Sequence, residues 1–216
     1  MTEALQPSFR AKNLTLTRGG RPLFSNLDFA ISRGEALIVR GANGSGKTSL
    51  LRVLAGLTIG DQGEISCGDT IWKAASPAQR ANVLYLGHAN ALKDELTAAE
   101  NLADGLKFDG LTVSVANQYL ALERVGLAQC RDLQARRLSQ GQKRRIGLAR
   151  LLLAQNSQQS IWLLDEPTNA LVAGGVALFI EIVDEHLARG GMACIATHLT
   201  MQIQAPVREL NLAESA

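Results

Sequence analysis

The segment Gly41-Ala42-Asn43-Gly44-Ser45-Gly46-Lys47-Thr48 combines glycines, a lysine and a hydroxyl in a spacing that suits phosphate. Glycines let the backbone curl so that successive N–H groups face inward and form an anion nest. A helix opening at this point adds unpaired N–H donors and the positive end of its dipole. Lys47 is then placed to reach β- and γ-phosphates, and the Thr48 hydroxyl to bind Mg²⁺. A second group lies at Ile161-Trp162-Leu163-Leu164-Asp165-Glu166, an apolar run that ends in two carboxylates. A carboxylate at the end of such a strand overlooks the ligand crevice of an open α/β sheet. There Asp165 is a candidate to hold Mg²⁺, directly or through water, and Glu166 to act as general base on the attacking water. These residues point to a nucleotide binder and leave kinase, GTPase and transport ATPase open.

The surrounding pattern supplies the elements that must position them. Ala36-Leu37-Ile38-Val39 is a continuous apolar run, as in a strand buried on both faces of a parallel sheet. The glycine-rich loop follows it. Thr48–Leu57 comes next, with Leu50, Leu51, Leu54 and Leu57 at helical spacing. The first 33 residues read as short strands, with Leu14 and Leu16, then Leu27, Phe29 and Ile31, alternating with polar neighbours around a turn at Arg18–Pro22. Met192–Ala196 is a further buried strand, and a helix is expected over Gly175–Arg189. Between these parts the pattern turns helical. Thr97-Ala98-Ala99-Glu100 is a capping-box sequence, with Ala99, Leu102, Ala103 and Leu106 as a stripe behind it. Val115–Val125 is expected to be a helix stopped near Gly126, and Arg131–Ala154 continues with helical character. The expected fold is α/β: one domain over 1–216, with a P-loop core sheet from about 1–87 and 157–216 and an inserted, mostly helical subdomain at about 88–156.

Composition narrows the class. With 46% hydrophobic and 19% charged residues among 216, disorder is excluded. Lys+Arg of 22 against Asp+Glu of 20 leaves a net charge of +2, which argues against a dedicated nucleic-acid binder. No apolar run approaches the ~20 residues that span a bilayer. The best candidate, Val176–Ile180, meets Glu181 at once, and Met1–Arg10 lacks the apolar stretch of a signal peptide. Cys67, Cys130 and Cys194 form no CxxC pair and are expected to be free thiols. Lys143-Arg144-Arg145 reads as an exposed helix face, and His186 as a surface helix residue.

Leu138-Ser139-Gln140-Gly141-Gln142 decides between the open readings. With this LSxGQ segment the sequence resembles the ABC-type ATPases over roughly residues 12–200. P-loop kinases and GTPases lack the element. The resemblance implies ATP and Mg²⁺ as cofactors. It also implies a second copy of the chain, whose Ser139, Gly141 and Gln142 close on the γ-phosphate held by the first. It makes His198, just after the Met192–Ala196 strand, the switch histidine beside that phosphate. Three positions depart from the family pattern. His88 stands where a glutamine usually meets Mg²⁺ and water; a neutral imidazole has an acceptor nitrogen and a protonated one has none, so activity is expected to fall on acidification. Arg18 takes the place of the aromatic residue that stacks on adenine, with Phe24 as a weaker alternative; a guanidinium also stacks on a flat base. Val172 replaces an aspartate in the loop after Glu166, which bears on communication between the two copies.

Further segments narrow the resemblance. Gly87-His88, Leu92-Lys93, Leu96–Leu102, Gln142–Arg145 leading into Leu148–Leu151, and Trp162–Pro167 are together similar to the ATP-binding subunits of bacterial haem exporters of cytochrome c maturation. That implies a subunit peripheral on the cytoplasmic face of the inner membrane, working with integral membrane transporter subunits. An intracellular helix of those subunits is expected at residues 88–110. No His or Cys set here reads as a haem ligand site, so haem is expected to meet the complex and not this chain. The alternatives are the ATPase of another small-molecule exporter, a non-transport ABC protein acting on ribosomes or DNA, and a small-molecule kinase.

Overall fold

Five short strands run side by side in the same direction, and that shared direction arranges the whole molecule. The computed structural model describes residues 8–72, 76–77, 81–155 and 160–212. The expectations for Met1–Pro7 and for a boundary at 156–157 lie outside the described residues. In chain order the elements are β1 (Phe9–Arg18), β2 (Arg21–Ile31), β3 (Ala36–Arg40), α1 (Lys47–Leu54), β4 (Gln62–Cys67), β5 (Thr70–Trp72), β6 (Val83–Leu86), α2 (Ala98–Phe108), α3 (Val115–Arg124), α4 (Gln140–Ala154), β7 (Ile161–Asp165), α5 (Ala173–Ala188), β8 (Met192–Ala196) and β9 (Val207–Asn211). The parallel sheet has the order β6-β7-β8-β3-β9, and an antiparallel sheet has the order β2-β1-β4-β5. The α/β class expected from the sequence is the class observed.

Every residue of β7 and β8 is buried, as their unbroken apolar runs require. Alternate residues serve two cores. Leu37, Val39, Leu163 and Cys194 pack with Leu50, Leu51 and Leu54 of α1 and with the antiparallel sheet. Ile38, Trp162, Leu164 and Ile195 pack with Leu102, Leu122, Leu148 and Phe179 of the four later helices. Burial of each such side chain contributes about 1.5–3 kcal/mol. Because the strands are parallel, Gly41, Gly87, Glu166 and Thr197 each follow a strand end on the same edge of the sheet.

The first helix between β6 and β7 begins where the sequence places a cap. Thr97 Oγ1 accepts from Glu100 N at 3.2 Å, and Glu100 Oε2 accepts from Thr97 N at 2.7 Å. The helix expected over Arg131–Ala154 starts only at Gln140, after a short 3-10 turn at Ala135–Arg137. The preceding segment has another task. The carbonyls of Arg131 and Leu133 accept from Ala99 N and Ala98 N at 2.9 and 3.0 Å, filling first-turn donors of α2 that no intrahelical partner can reach.

His186 is not on the surface. It is 3% exposed and stacks on Trp162 with ring centroids 3.7 Å apart and planes 7° from parallel. Its Nε2 lies 3.2 Å from Met192 O. The last turn of α5 lies against the sheet, so its inward position is filled by a ring and not by solvent. Among the described residues, no helix is long and apolar enough to cross a membrane.

Burial lowers the His186 pKa from 6.5 to about 4. Between those values the unfolded chain binds a proton that the folded chain refuses, so stability falls as pH drops from 6.5 towards 4. The loss amounts to about 3 kcal/mol at 1.36 kcal/mol per pH unit. His186→Phe, which keeps a flat ring against Trp162, should flatten this part of the melting-temperature profile relative to the wild type.

Candidate functional site

The phosphate loop joins β3 to α1. Gly41, Gly44 and Gly46 have φ of 147°, 84° and 99°, in the region that glycine enters without a Cβ penalty. At Gly41 a Cβ would stand 2.5 Å from Ser45 Oγ, so a side chain there would force that hydroxyl to move. Gly46 caps α1 without any side-chain bond, and the first turn contains no acidic residue. Its leading N–H groups are therefore open to an anion. Lys47 is 9% exposed, and its Nζ donates to Gly41 O at 2.7 Å and Ala42 O at 3.1 Å. The ammonium is folded over the loop. Ser45 Oγ is buried and has no hydrogen-bond partner among the described residues, an unusual state for a buried hydroxyl and one that a phosphate oxygen would relieve. Asn43 lies exposed in the same loop. Phe24 packs fully buried beneath Gly46, so it cannot offer its ring to a base. Arg18 stands exposed at the end of β1.

Thr48 Oγ1 donates to Asp165 Oδ2 at 2.8 Å, which brings together the start of α1 and the end of β7. Asp165 is 1% exposed. A hydroxyl and one carboxylate beside a phosphate site suit Mg²⁺, which keeps its other positions for waters and substrate phosphates. Glu166 follows with φ of 46°, a left-handed backbone for a residue with a side chain. Its N–H donates to Ala196 O at 2.8 Å. Its Oε2 lies 3.0 Å from Nδ1 of His198, which extends from the end of β8. Two carriers of acid–base chemistry from neighbouring strand ends thus meet directly.

Arg144 ties this corner together and corrects the sequence reading of Lys143–Arg145 as an exposed face. It is 2% exposed. Its guanidinium donates to the carbonyls of Asp165 (2.9 Å), Glu166 (2.7 Å), Pro167 (2.9 Å) and Gly87 (2.9 Å), and to Asn90 Oδ1 at 3.3 Å. Burial draws its pKa down, against the upward pull of Asp165 and Glu166. The neighbouring cations are also engaged: Lys143 Nζ with Asp94 at 3.1 Å, and Arg145 with Val125 O at 3.0 Å. A signal was present in the sequence. Arg144 falls in helical register with Leu148 and Leu151, both fully buried, so it points along the core stripe.

At the start of α4, Ser139 Oγ accepts from Gln142 N at 3.2 Å, which leaves the hydroxyl proton available to another acceptor. Gln142 is held in its own cap: Oε1 accepts from Ser139 N at 2.8 Å and Nε2 points to Cys130 Sγ at 3.3 Å. At Gly141 a Cβ would approach Ala170 O to 2.8 Å, so only glycine lets the loop after Glu166 rest on this helix. Among the described residues no hydrogen bond joins Ser139, Gly141 or Gln142 to the phosphate loop of the same chain. His88 is exposed and lines a cavity of about 560 Å³ with Gln140, Arg144 and Asn169. No hydrogen bond links it to Thr48, Asp165 or Glu166 among the described residues.

Arg144→Lys keeps a charge but offers a single donor centre to acceptors spread over two segments, the Gly87–Asn90 turn and residues 165–167. It should lower unfolding stability by about 2–4 kcal/mol in urea titration, since buried carbonyls lose their partners. Lys143→Ala, which breaks a half-exposed ion pair, should cost under about 1 kcal/mol.

The chain matches the ABC transporter family over residues 24–169. It is 44% identical over 195 residues to the cytochrome c biogenesis ATP-binding export protein CcmA of Cupriavidus pinatubonensis, covering 90% of this chain and 85% of that one. To the protein of the same name from Dechloromonas aromatica it is 46% identical over 203 residues, covering 94% and 98%. Its fold is similar to the dimeric structure of MJ0796, a bacterial ABC transporter cassette, with a TM-score of 0.80, 22% identity and 94% of each chain covered. A dimeric post-hydrolysis state of that cassette, bound to ADP and Pi, has a TM-score of 0.75 at 22% identity over 88% of each chain. The chain therefore belongs to the ABC transporter family, as an ATPase among the ATP-binding export proteins of cytochrome c biogenesis.

Proposed function

We propose that this chain hydrolyses ATP as a pair of identical copies, peripheral on the cytoplasmic face of the inner membrane, and that it drives an export complex handling haem for cytochrome c biogenesis. The contact between Glu166 Oε2 and His198 Nδ1 at 3.0 Å carries the reading, because it sets a base and an orienting imidazole beside the Thr48–Asp165 pair. The open N–H groups at the start of α1 and the Lys47 ammonium bind the β- and γ-phosphates. Arg18 stacks on the base. Glu166 Oε takes the proton of the attacking water, and His198 keeps that carboxylate in place by donating from Nδ1. Thr48 and Asp165 would hold Mg²⁺, which neutralises phosphate charge when bound. His88 is a candidate third group near it, at the position where relatives of the fold class use glutamine.

Ser139 and Gly141 complete the γ-phosphate pocket of the other copy, with Gln142 locking Ser139 in its cap. That the described hydrogen bonds of Ser139 and Gln142 leave the Ser139 hydroxyl proton available supports this. ATP favours the closed pair because only that state supplies these donors, and hydrolysis removes the preference. Membrane subunits supply the translocation path, and haem meets those subunits and not this chain.

Glu166→Gln should lower ATP turnover about 10²–10⁴-fold while leaving nucleotide affinity in place. In ATP the variant should elute as a dimer, and adding Ser139→Arg should return it to a monomer. A Glu166→Gln protein that stays monomeric in ATP, even with its membrane subunits, would falsify the paired mechanism. Co-purification from membranes identifies those subunits, and recovery of ribosomes or DNA in their place overturns the export reading.

A further inference from the structure

His198 has to meet Glu166 from a loop with little structure of its own. Residues 197–206 form neither helix nor strand, and the His198 side chain is 70% exposed. The backbone bond at its root, Thr197 N to Val39 O, is long at 3.4 Å. A stronger hold comes from Arg40, the last residue of β3, immediately before the phosphate loop. Arg40 Nη1 donates to Thr197 O at 3.0 Å and to Leu199 O at 2.8 Å. These carbonyls bracket His198 on either side. The other edge of the same guanidinium, Nε and Nη2, faces Glu209 Oε1 of β9 at 3.3 and 3.2 Å.

We propose that Arg40 is a positioning residue for hydrolysis: braced by Glu209, its guanidinium grips the backbone on both sides of His198 and so fixes the imidazole against Glu166. The proposal rests on the role given to Glu166 and His198 above. The chemistry needs arginine. One nitrogen serves both carbonyls while the opposite edge meets a carboxylate, a planar fork that a lysine ammonium cannot reproduce. The strand order places it for the task. β3 lies between β8, which leads into the His198 loop, and β9, which carries Glu209. A residue at the end of β3 thus reaches both neighbours and stands one peptide from Gly41, so the phosphate loop and the histidine loop share an anchor.

The test is ATP turnover by the full chain, with its membrane subunits, for Arg40→Gln, Arg40→Lys and Glu209→Gln, each with His198 and with His198→Ala. Arg40→Gln should lower kcat about tenfold with KM for ATP within about twofold, since an ångström of misplacement costs up to about 10²-fold. Arg40→Lys should recover less than half of the loss. Glu209→Gln, altering a side chain 60% exposed, should lower kcat about two- to threefold and keeps the test decisive if Arg40→Gln fails to fold. In the His198→Ala background, the Arg40 and Glu209 changes should have no further effect beyond about twofold, because residues acting through one group are non-additive. A full further tenfold loss there, or a rise in KM with kcat unchanged, overturns the proposal. Wild-type turnover by both Glu166→Gln and His198→Ala instead removes the assignment of the pair itself.

Discussion

Parallel strand direction is the constraint on which everything else rests. A strand that joins a parallel sheet must deliver its C-terminal end to the same edge as its neighbours, whatever the sequence between them. Here that rule brings the loops after β3, β6, β7 and β8 to one rim, although Arg40 and Thr197 at the two extremes lie 157 positions apart. The phosphate loop, the Asp165–Glu166 pair and His198 need no long-range device to find one another. The sheet order determines which of them become neighbours: β7 and β8 are adjacent, and so Glu166 and His198 meet.

Position along the rim is coarse, and two buried or half-buried guanidinium groups refine it. Arg144 collects carbonyls from the ends of β6 and β7 onto the helix that Ser139 caps. The left-handed Glu166 backbone costs of order 1 kcal/mol or more, and the Arg144 and Ala196 bonds on either side of it fix that conformation. Arg40 collects carbonyls from the end of β8. Both guanidinium groups grip main-chain carbonyls, and Arg40 is braced from its other edge by the Glu209 carboxylate, so the charge serves geometry. Desolvation works against such a cation, and the number of bonds to each guanidinium offsets it.

Much of this was legible in the sequence because it is local. The turn glycines, the capping box at Thr97 and the apolar strands each depend on residues within a few positions of one another. The observed elements follow those patterns, and Thr48 and Asp165 meet as their motifs imply. Three readings failed where a distant contact overrode local character. Arg144 and His186 are polar, and composition places such residues outside; each is inside because a far segment supplies acceptors or a ring. Residues 131–139 have helical character, yet they serve the first turn of α2. Arg40 carried no local signal at all, since its partners lie 157 to 169 positions away.

The seat of Ala170 O on Gly141 has a wider consequence. Together with the Arg144 bonds to Asp165, Glu166 and Pro167, it fastens the helical insert to the rim at its most sensitive corner. The insert is not a module that can be exchanged at its sequence boundaries. A chimaera built from two relatives would have to transfer the 165–171 segment and the Gly87–Asn90 turn along with the helices, or the graft would arrive without its footing.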